Sequence, residues 1–165
     1  MSGPSERPEI EFRVLDYRDA HESVLVFMAE LASAELPGHP DLTPPEGPEL
    51  EPERRGLFVV AYLNGQPAAS GGYRIFPGDP SGDTAEFVRM YVRPGARRSG
   101  LGRALLAELE ELARDDEYRY AVLEVGADQH GAQALYEIRG YRRIHGDRDR
   151  EDRRTYRKEL ADGAD

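Results

Sequence analysis

The chain of 165 residues contains no cysteine. That absence removes a disulfide framework, a Cys-based zinc site and a thiol nucleophile, and it leaves the redox compartment open. No stretch approaches 18 consecutive apolar residues, and no basic segment followed by an apolar run opens the chain. Neither a membrane span nor a secretory leader is therefore expected, and the cytoplasm is the default location. Lysine is almost missing as well: of the 22 basic residues only Lys158 is a lysine. Together with abundant Ala, Gly and Pro, this fits a GC-rich, bacterial-like coding genome and carries no chemistry. Positive charge is in deficit, with 32 acidic residues and a net charge of −10, which opposes binding to nucleic acid or to an anionic membrane. The deficit is uneven. Up to Val92, 7 arginines face 16 acids, whereas from Arg93 onward 15 basic residues face 16 acids. A site for an anion is expected in the second half.

The length suits one domain. Residues 1–8 are polar with two prolines and read as a flexible end, 9–161 as the domain, and 162–165 as a tail. "IEFRVLDY" alternates in the manner of a half-buried strand. Asp19 then caps a helical pattern through Leu36, with Glu22 completing a capping box. Pro37 to Glu53 carries six prolines and no periodicity, and reads as a long functional or mobile loop. "GLFVVAYLNGQPAASGGYRIF" is a hairpin turning at Asn64-Gly65, a dipeptide suited to two consecutive positive φ values. Gly78 to Gly82 marks a turn, "TAEFVRMYV" a strand, and "LGRALLAELEELAR" a helix. On that helix Leu101, Leu105, Leu109 and Leu112 form the apolar stripe, and Glu108, Glu110, Glu111 and Arg114 are expected in water. "YRYAVLEVG" is a strand, Gly131 to Arg139 a helix ended by Gly140, and "YRRIH" and "TYRKEL" are two last strands. The order β-α-β-β-β-α-β-α-β-β implies an α/β fold with a mixed sheet flanked by helices.

The chemistry concentrates between the strand "EFVRMYV" and the helix after it, in "RPGARRSGLG". Gly100 and Gly102 let a ligand approach the backbone at a helix N-terminus, where the N–H groups from Arg98 through Ser99, Gly100, Leu101 and Gly102 to Arg103 point outward with the helix dipole behind them. That arrangement suits a pyrophosphate. The same glycines could merely let a helix start after the Pro94-Gly95 turn. A dinucleotide fingerprint, with Glu124 as the ribose acid, fails because its third glycine would be Leu105 and its tight first turn is replaced by a long Arg-rich connection. No Gly-Lys-Ser/Thr follows for a P-loop.

At these residues the chain resembles the GNAT superfamily of acyl-CoA-dependent N-acetyltransferases. Arg97-Arg98-Ser99-Gly100-Leu101-Gly102 matches the family's pyrophosphate pattern, and "AEFVRMYVRP" and "AQALYEIRGYRRI" look like its central strand and its C-terminal helix-turn-strand. The three motifs cover Ala85 to Ile144. One position departs: Gln129 stands where the family often has Asn. The resemblance implies a GNAT-like fold and acetyl transfer from acetyl-CoA to a primary amine by direct attack on the thioester. It implies that main-chain groups of Met90, Tyr91 and Val92 pair with pantetheine where the central strand parts from the next. It implies Tyr136 as the acid that protonates the leaving thiolate. Glu86 is either the base, or anchor of a base water, or a solvated carboxylate. A non-catalytic acyl-CoA-binding module and a nucleotide-binding domain are the rival readings.

The four histidines, His21, His39, His130 and His145, have no metal-ligand spacing, and no metal is expected. His130 lies close enough to the Tyr136 helix to meet the cofactor or acceptor. The acidic first half favours a cationic acceptor, expected in a groove between Pro37 to Glu53 and Tyr73 to Asp83. A homodimer is a further expectation.

Overall fold

The computed structural model describes residues 9–15, 55–145 and 152–160. The expected first helix, the proline-rich segment and both chain ends lie outside these residues. Seven strands form one sheet, in the order β1-β2-β3-β4-β5-β7-β6. They are β1 (Ile10–Val14), β2 (Leu57–Leu63), β3 (Gln66–Ile75), β4 (Thr84–Val92), β5 (Tyr120–Gly126), β6 (Arg142–Ile144) and β7 (Arg153–Glu159). Neighbours are antiparallel except β4 and β5. That parallel pair is joined by a 3-10 turn (Pro94–Ala96) and helix α1 (Leu101–Asp115); helix α2 (His130–Ile138) connects β5 to β6. The sheet is mixed because hairpins build its first half and a β-α-β crossover its second.

Alternation along the strands assigns the two faces. Val59 and Ala61 of β2, Tyr73 of β3, Ala85 and Phe87 of β4, and Ala121, Leu123 and Val125 of β5 join Leu101, Leu105, Leu106, Leu109 and Ala113 of α1 in the main core. Tyr136 of α2, with Tyr141 and Tyr156, belongs to that same core, so both helices cover one face. Phe58 and Val60 point the other way and pack with Leu15, Tyr62, Val88 and Tyr91. Strand β2 is apolar on both faces, which is why it reads as a continuous run rather than an alternation. The Asn64-Gly65 turn forms as its dipeptide requires, with φ of 51° and 82°.

One expectation on α1 is corrected. Glu110 is fully buried rather than solvated, whereas Glu111 is exposed and Glu108 and Arg114 are half-buried. Glu110 follows Leu106 by four residues and precedes Ala113 by three, which puts it on the core side of the helix. Its oxygens are met there by Arg139 Nη2 at 2.6 Å, the Tyr141 hydroxyl at 2.9 Å and Lys158 Nζ at 3.1 Å. A second polar knot closes the far end of α1: Tyr73 donates to the Asp116 carboxylate, and Arg55 lies 4.1 Å over the Tyr118 ring while donating to Asp116 O.

Burial of these phenols has a consequence for alkaline pH. Loss of solvent raises the phenols of Tyr73 and Tyr141, and pushes those of Tyr118 and Tyr136 up to about 12. An unfolded tyrosine ionises near pH 10. The contribution of these phenols to stability is therefore fully present below about pH 10 and is lost as pH rises from there through about 12. In a titration of tyrosinate absorbance against circular dichroism, these four are expected to ionise with unfolding, after the exposed phenols. Ionisation of all nine tyrosines in one step with the fold intact would contradict this.

Candidate active site

The sheet opens between β4 and β5. Their pairing runs from Thr84↔Tyr120 to Phe87↔Leu123 and stops, while β5 goes on pairing with β7 as far as Gly126↔Arg153. The cause lies in β4. Against β3 the register advances from Gly72↔Val88 to Ser70↔Tyr91, so three β4 residues are passed while β3 passes two. The extra residue is a β-bulge, with Arg89 in the left-handed region at φ 58°, and such a bulge bends its strand away from a neighbour. Gly71 makes room for it: a Cβ there would stand 2.4 Å from Met90 Sδ. Beyond the bulge β4 changes from buried to half-buried.

The main-chain groups at this opening are not all alike. Arg93 N–H donates to Ala68 O, and alternation in an antiparallel ladder then turns Tyr91 toward β3 and Val92 toward the open edge. Tyr91 is thus held by β3 through its backbone, and its ring lies with the second-face core. The Val92 carbonyl accepts Arg97 Nε at 3.1 Å, so the Arg97 side chain braces the loop. Ser99 has a similar role: its hydroxyl donates to Ala96 O and accepts the Leu101 N–H at 3.3 Å. Sequence reasoning treated Arg97 and Ser99 only as part of a ligand pattern, and the geometry shows what they hold.

After Arg97 the loop alternates in hand. Arg98 has φ 65° and Gly100 φ 83°, and left-handed residues interspersed in this way turn successive N–H groups to one side. Among the described residues, the N–H groups of Ser99, Gly100, Gly102 and Arg103 find no protein acceptor. A Cβ at Gly100 would meet nothing within 4 Å, so glycine is there for its φ and not for space. Arg98 and Arg103 are exposed beside it. Gly102 sits against Val92 and Leu135, which places this cradle between the open end of β4 and helix α2. Unpaired N–H groups, a helix dipole and two arginines are the donor set a pyrophosphate requires.

On α2, Tyr136 is buried and wedged between two other tyrosines. Its ring centroid is 5.8 Å from that of Tyr141, edge-on, and 6.3 Å from that of Tyr156. The helix ends in a Schellman motif: Tyr141 N–H donates to Tyr136 O at 2.9 Å, Gly140 N–H to Glu137 O at 3.1 Å, and Gly140 takes φ 94°. Burial alone raises the Tyr136 phenol, to about 12. Among the described residues its hydroxyl has no hydrogen-bond partner. Gln129 precedes the helix, and its side-chain oxygen accepts the Gly126 N–H at 3.0 Å, which ties it to the end of β5. His130 is exposed at the start of α2.

Glu86 lies on the other face, between Ala85 and Phe87 of the main core. It is neither solvated nor unengaged: it is 5% exposed, and Arg74 Nε, directly across the strand pair, donates to it at 2.8 Å. Nothing in the local pattern around Arg74 marks it as this partner. Glu124 shares that face one residue beyond the last β4–β5 pair and is exposed. Tyr136 and Glu86 therefore approach the sheet from opposite sides, and the two sides communicate where β4 and β5 part. Of the segment Tyr73 to Asp83, expected to help form an acceptor groove, Tyr73 is fully buried and pairs with Phe87, where the β4–β5 pairing ends; Arg74 reaches Glu86, and the residues after Ile75 lead into the start of β4. The other half of that groove, Pro37 to Glu53, lies outside the described residues. Among the described residues, no group of three or more His, Asp or Glu is arranged to hold a metal.

Comparison with known proteins agrees with this fold. Residues 25–141 match the acetyltransferase (GNAT) family. An IAA acetyltransferase of Azospirillum brasilense is 36% identical over 84 residues, 51% of this chain and 53% of that one, so the chain spans about half the length of that curated relative. Among solved structures, an acetyltransferase of GNAT family from Staphylococcus aureus Mu50 superposes with TM-score 0.72 at 19% identity, covering 93% of this chain and all of the other. The Salmonella typhimurium protein yncA, solved with its cofactor acetyl-CoA, superposes with TM-score 0.70 at 19% identity over 94% of this chain and 96% of its own. With a family match over most of its length and the fold to go with it, this chain belongs to the GNAT acetyltransferase family.

Proposed function

We propose that the protein transfers the acetyl group of acetyl-CoA to a primary amine by direct attack on the thioester. The observation that carries this reading is the coincidence, at one end of β4, of a strand edge freed by a bulge and a cradle of unpaired N–H groups. An acyl-CoA supplies both partners for it: an anionic pyrophosphate for the cradle and an amide-bearing arm that pairs with a strand edge. The N–H groups of Ser99, Gly100, Gly102 and Arg103, flanked by Arg98, hold the pyrophosphate. Met90 and Val92 offer the edge, and a main-chain N–H there serves the developing oxyanion. Tyr136 keeps its proton until the C–S bond breaks and then gives it to the sulfur.

Both helices among the described residues cover the opposite face, and the amine is taken to arrive from the face of Glu86. With Arg74 on one of its oxygens, Glu86 serves to fix a water or an ammonium. Glu124 is the open carboxylate on that face and is the better placed proton acceptor. The missing cysteine leaves direct transfer as the simpler route. The acidic first half would steer a cationic amine toward the site.

The absence of cysteine also gives the test a clean readout, because every thiol released is CoA. Acetyl-CoA incubated with a panel of amines should release thiol faster than acetyl-CoA alone. Calorimetry should show binding of acetyl-CoA over ATP and NAD. Tight acetyl-CoA binding with no amine-dependent release would indicate a binding module instead, and preference for a nucleotide would overturn the reading. A variant probes the cradle separately. Gly100→Val forces a β-branched side chain into φ 83°, and losing about 1–2 kcal/mol of backbone preference or more is expected to weaken acetyl-CoA binding roughly tenfold. Unchanged affinity would remove the loop from the binding site.

A further inference from the structure

We infer that Glu110 and Tyr141 act together as a positioning pair for the reaction, fixing where the Tyr136 hydroxyl stands relative to the cofactor cradle. The inference rests on the reading of Tyr136 as the proton donor and goes beyond it, to residues that touch neither substrate.

Tyr136 and Tyr141 are linked twice. The Schellman bond from Tyr141 N–H to Tyr136 O, 2.9 Å, fixes their backbones, and the edge-on ring contact at 5.8 Å fixes their side chains. Whatever orients the Tyr141 ring therefore orients the Tyr136 ring beside it. That orienting group is Glu110, which accepts the Tyr141 hydroxyl at 2.9 Å from the neighbouring helix. Glu110 has no freedom to follow Tyr141 elsewhere. It is fully buried, and Arg139 and Lys158 hold its other lone pairs at 2.6 and 3.1 Å. Lys158 Nζ also stands 5.5 Å over the Tyr141 ring, and the Lys158 stem passes beside Gly140 on its way there.

The direction of the linkage matters for catalysis. Helix α1 bears Glu110 on its buried side and begins at Gly100, in the cradle. Helix α2 bears Tyr136. The Glu110 to Tyr141 bond thus joins the helix that would place the cofactor to the tyrosine that would protonate its sulfur. Apolar packing alone would hold the helices together, but it is not directional; a carboxylate with three donors is. Errors of about 1 Å in the position of a reacting group are enough to lower a rate by orders of magnitude.

The test is a double-mutant cycle on kcat, with acetyl-CoA and whichever amine gives the fastest thiol release. Tyr141→Phe keeps the ring and removes only the oxygen that Glu110 accepts, so it should fold, as its Tm will show. It is expected to lower kcat about tenfold with acetyl-CoA affinity within about twofold of wild type. In a Tyr136→Phe background, Tyr141→Phe should lower kcat no further, because its effect passes through the missing hydroxyl. Wild-type kcat in Tyr141→Phe, or the same loss in both backgrounds, would overturn the positioning role while leaving Tyr136 as the acid. Wild-type kcat in Tyr136→Phe would overturn the acid assignment, and this inference with it.

Discussion

Replacing Tyr136 by Phe is expected to lower kcat about 100-fold, at the lower end of what a positioned general acid contributes, with acetyl-CoA affinity nearly unchanged. The ring contacts with Tyr141 and Tyr156 do not involve the hydroxyl, so the phenylalanine should occupy the same place. The energetics of the proton transfer explain why the effect is large but bounded. A phenol pushed up to about 12 is a weaker acid than a thiol of reference pKa near 8.5, so transfer to a free, solvated thiolate would run uphill. Inside the site the leaving sulfur is not free. The same loss of solvent that raises the phenol disfavours a thiolate beside it, and the gap narrows as charge builds on sulfur. The donor is therefore useful only late in C–S cleavage. Its pH dependence follows from the direction of the shift: Tyr136 remains protonated throughout the neutral range, so it adds no alkaline limb to kcat below about pH 10. Wild type and Tyr136→Phe should show profiles of the same shape over that range, displaced in height. A kcat equal to wild type would exclude the hydroxyl from the rate-limiting chemistry.

Much of this arrangement is legible in the order of residues. The alternation in "TAEFVRMYV", the glycines after it and the helical spacing from Leu101 specify a strand, a loop and a helix in succession, because each depends on local periodicity or on backbone freedom. The Gly140 cap and the Asn64-Gly65 turn are legible for the same reason. What local pattern does not carry is pairing. The bulge that opens the sheet puts an arginine, Arg89, at positive φ, and nothing in Arg89 itself marks it. Only the glycine across from it, Gly71, is an indirect sign. Similarly, Glu86 meets Arg74 because β3 and β4 pair in one register, and a separation of twelve positions hides that partnership from any short-range rule. Tyr73 to Asp83 is divided by the same pairing: Arg74 comes to lie across from Glu86, while the residues after Ile75 stay at the start of β4.

Glu110 is the most instructive failure, because the signal was present. A heptad-like stripe through Leu101, Leu105 and Leu109 draws attention to leucines, and an "ELEEL" run invites the reading of a wet charged face. Taking Leu106 and Ala113 into the stripe instead widens it until Glu110 falls inside. A carboxylate on the apolar side of an amphipathic helix implies cations elsewhere to meet it. The Arg139-Gly140-Tyr141 corner and the chain's single lysine, Lys158, are those partners.

Glu110→Ala is accordingly expected to destabilise the protein by about 3 kcal/mol, the lower end for breaking a buried ion pair and comparable to truncating one of the buried leucines of α1. Two considerations set that end. Arg139 and Lys158 keep 29% and 18% of their side chains exposed, so both can swing their charges out to water along flexible stems. The Tyr141 hydroxyl cannot follow, since its residue is 2% exposed, and leaving it without an acceptor costs about 1–3 kcal/mol on its own. The cavity left by one methylene and a carboxylate adds to this. For a chain of this size the loss corresponds to a Tm lower by roughly 6–12 °C. Urea unfolding of the two proteins would measure it directly. Glu111→Ala, one residue along and exposed, should change stability by less than about 0.5 kcal/mol. Because the cluster is enclosed, the difference between the two variants should persist at about 1 M salt, where surface pairs are screened. A difference below about 1 kcal/mol, or one abolished by salt, would mean that Glu110 exchanges its partners for water and that the corner between α1 and α2 is held by its apolar side chains alone.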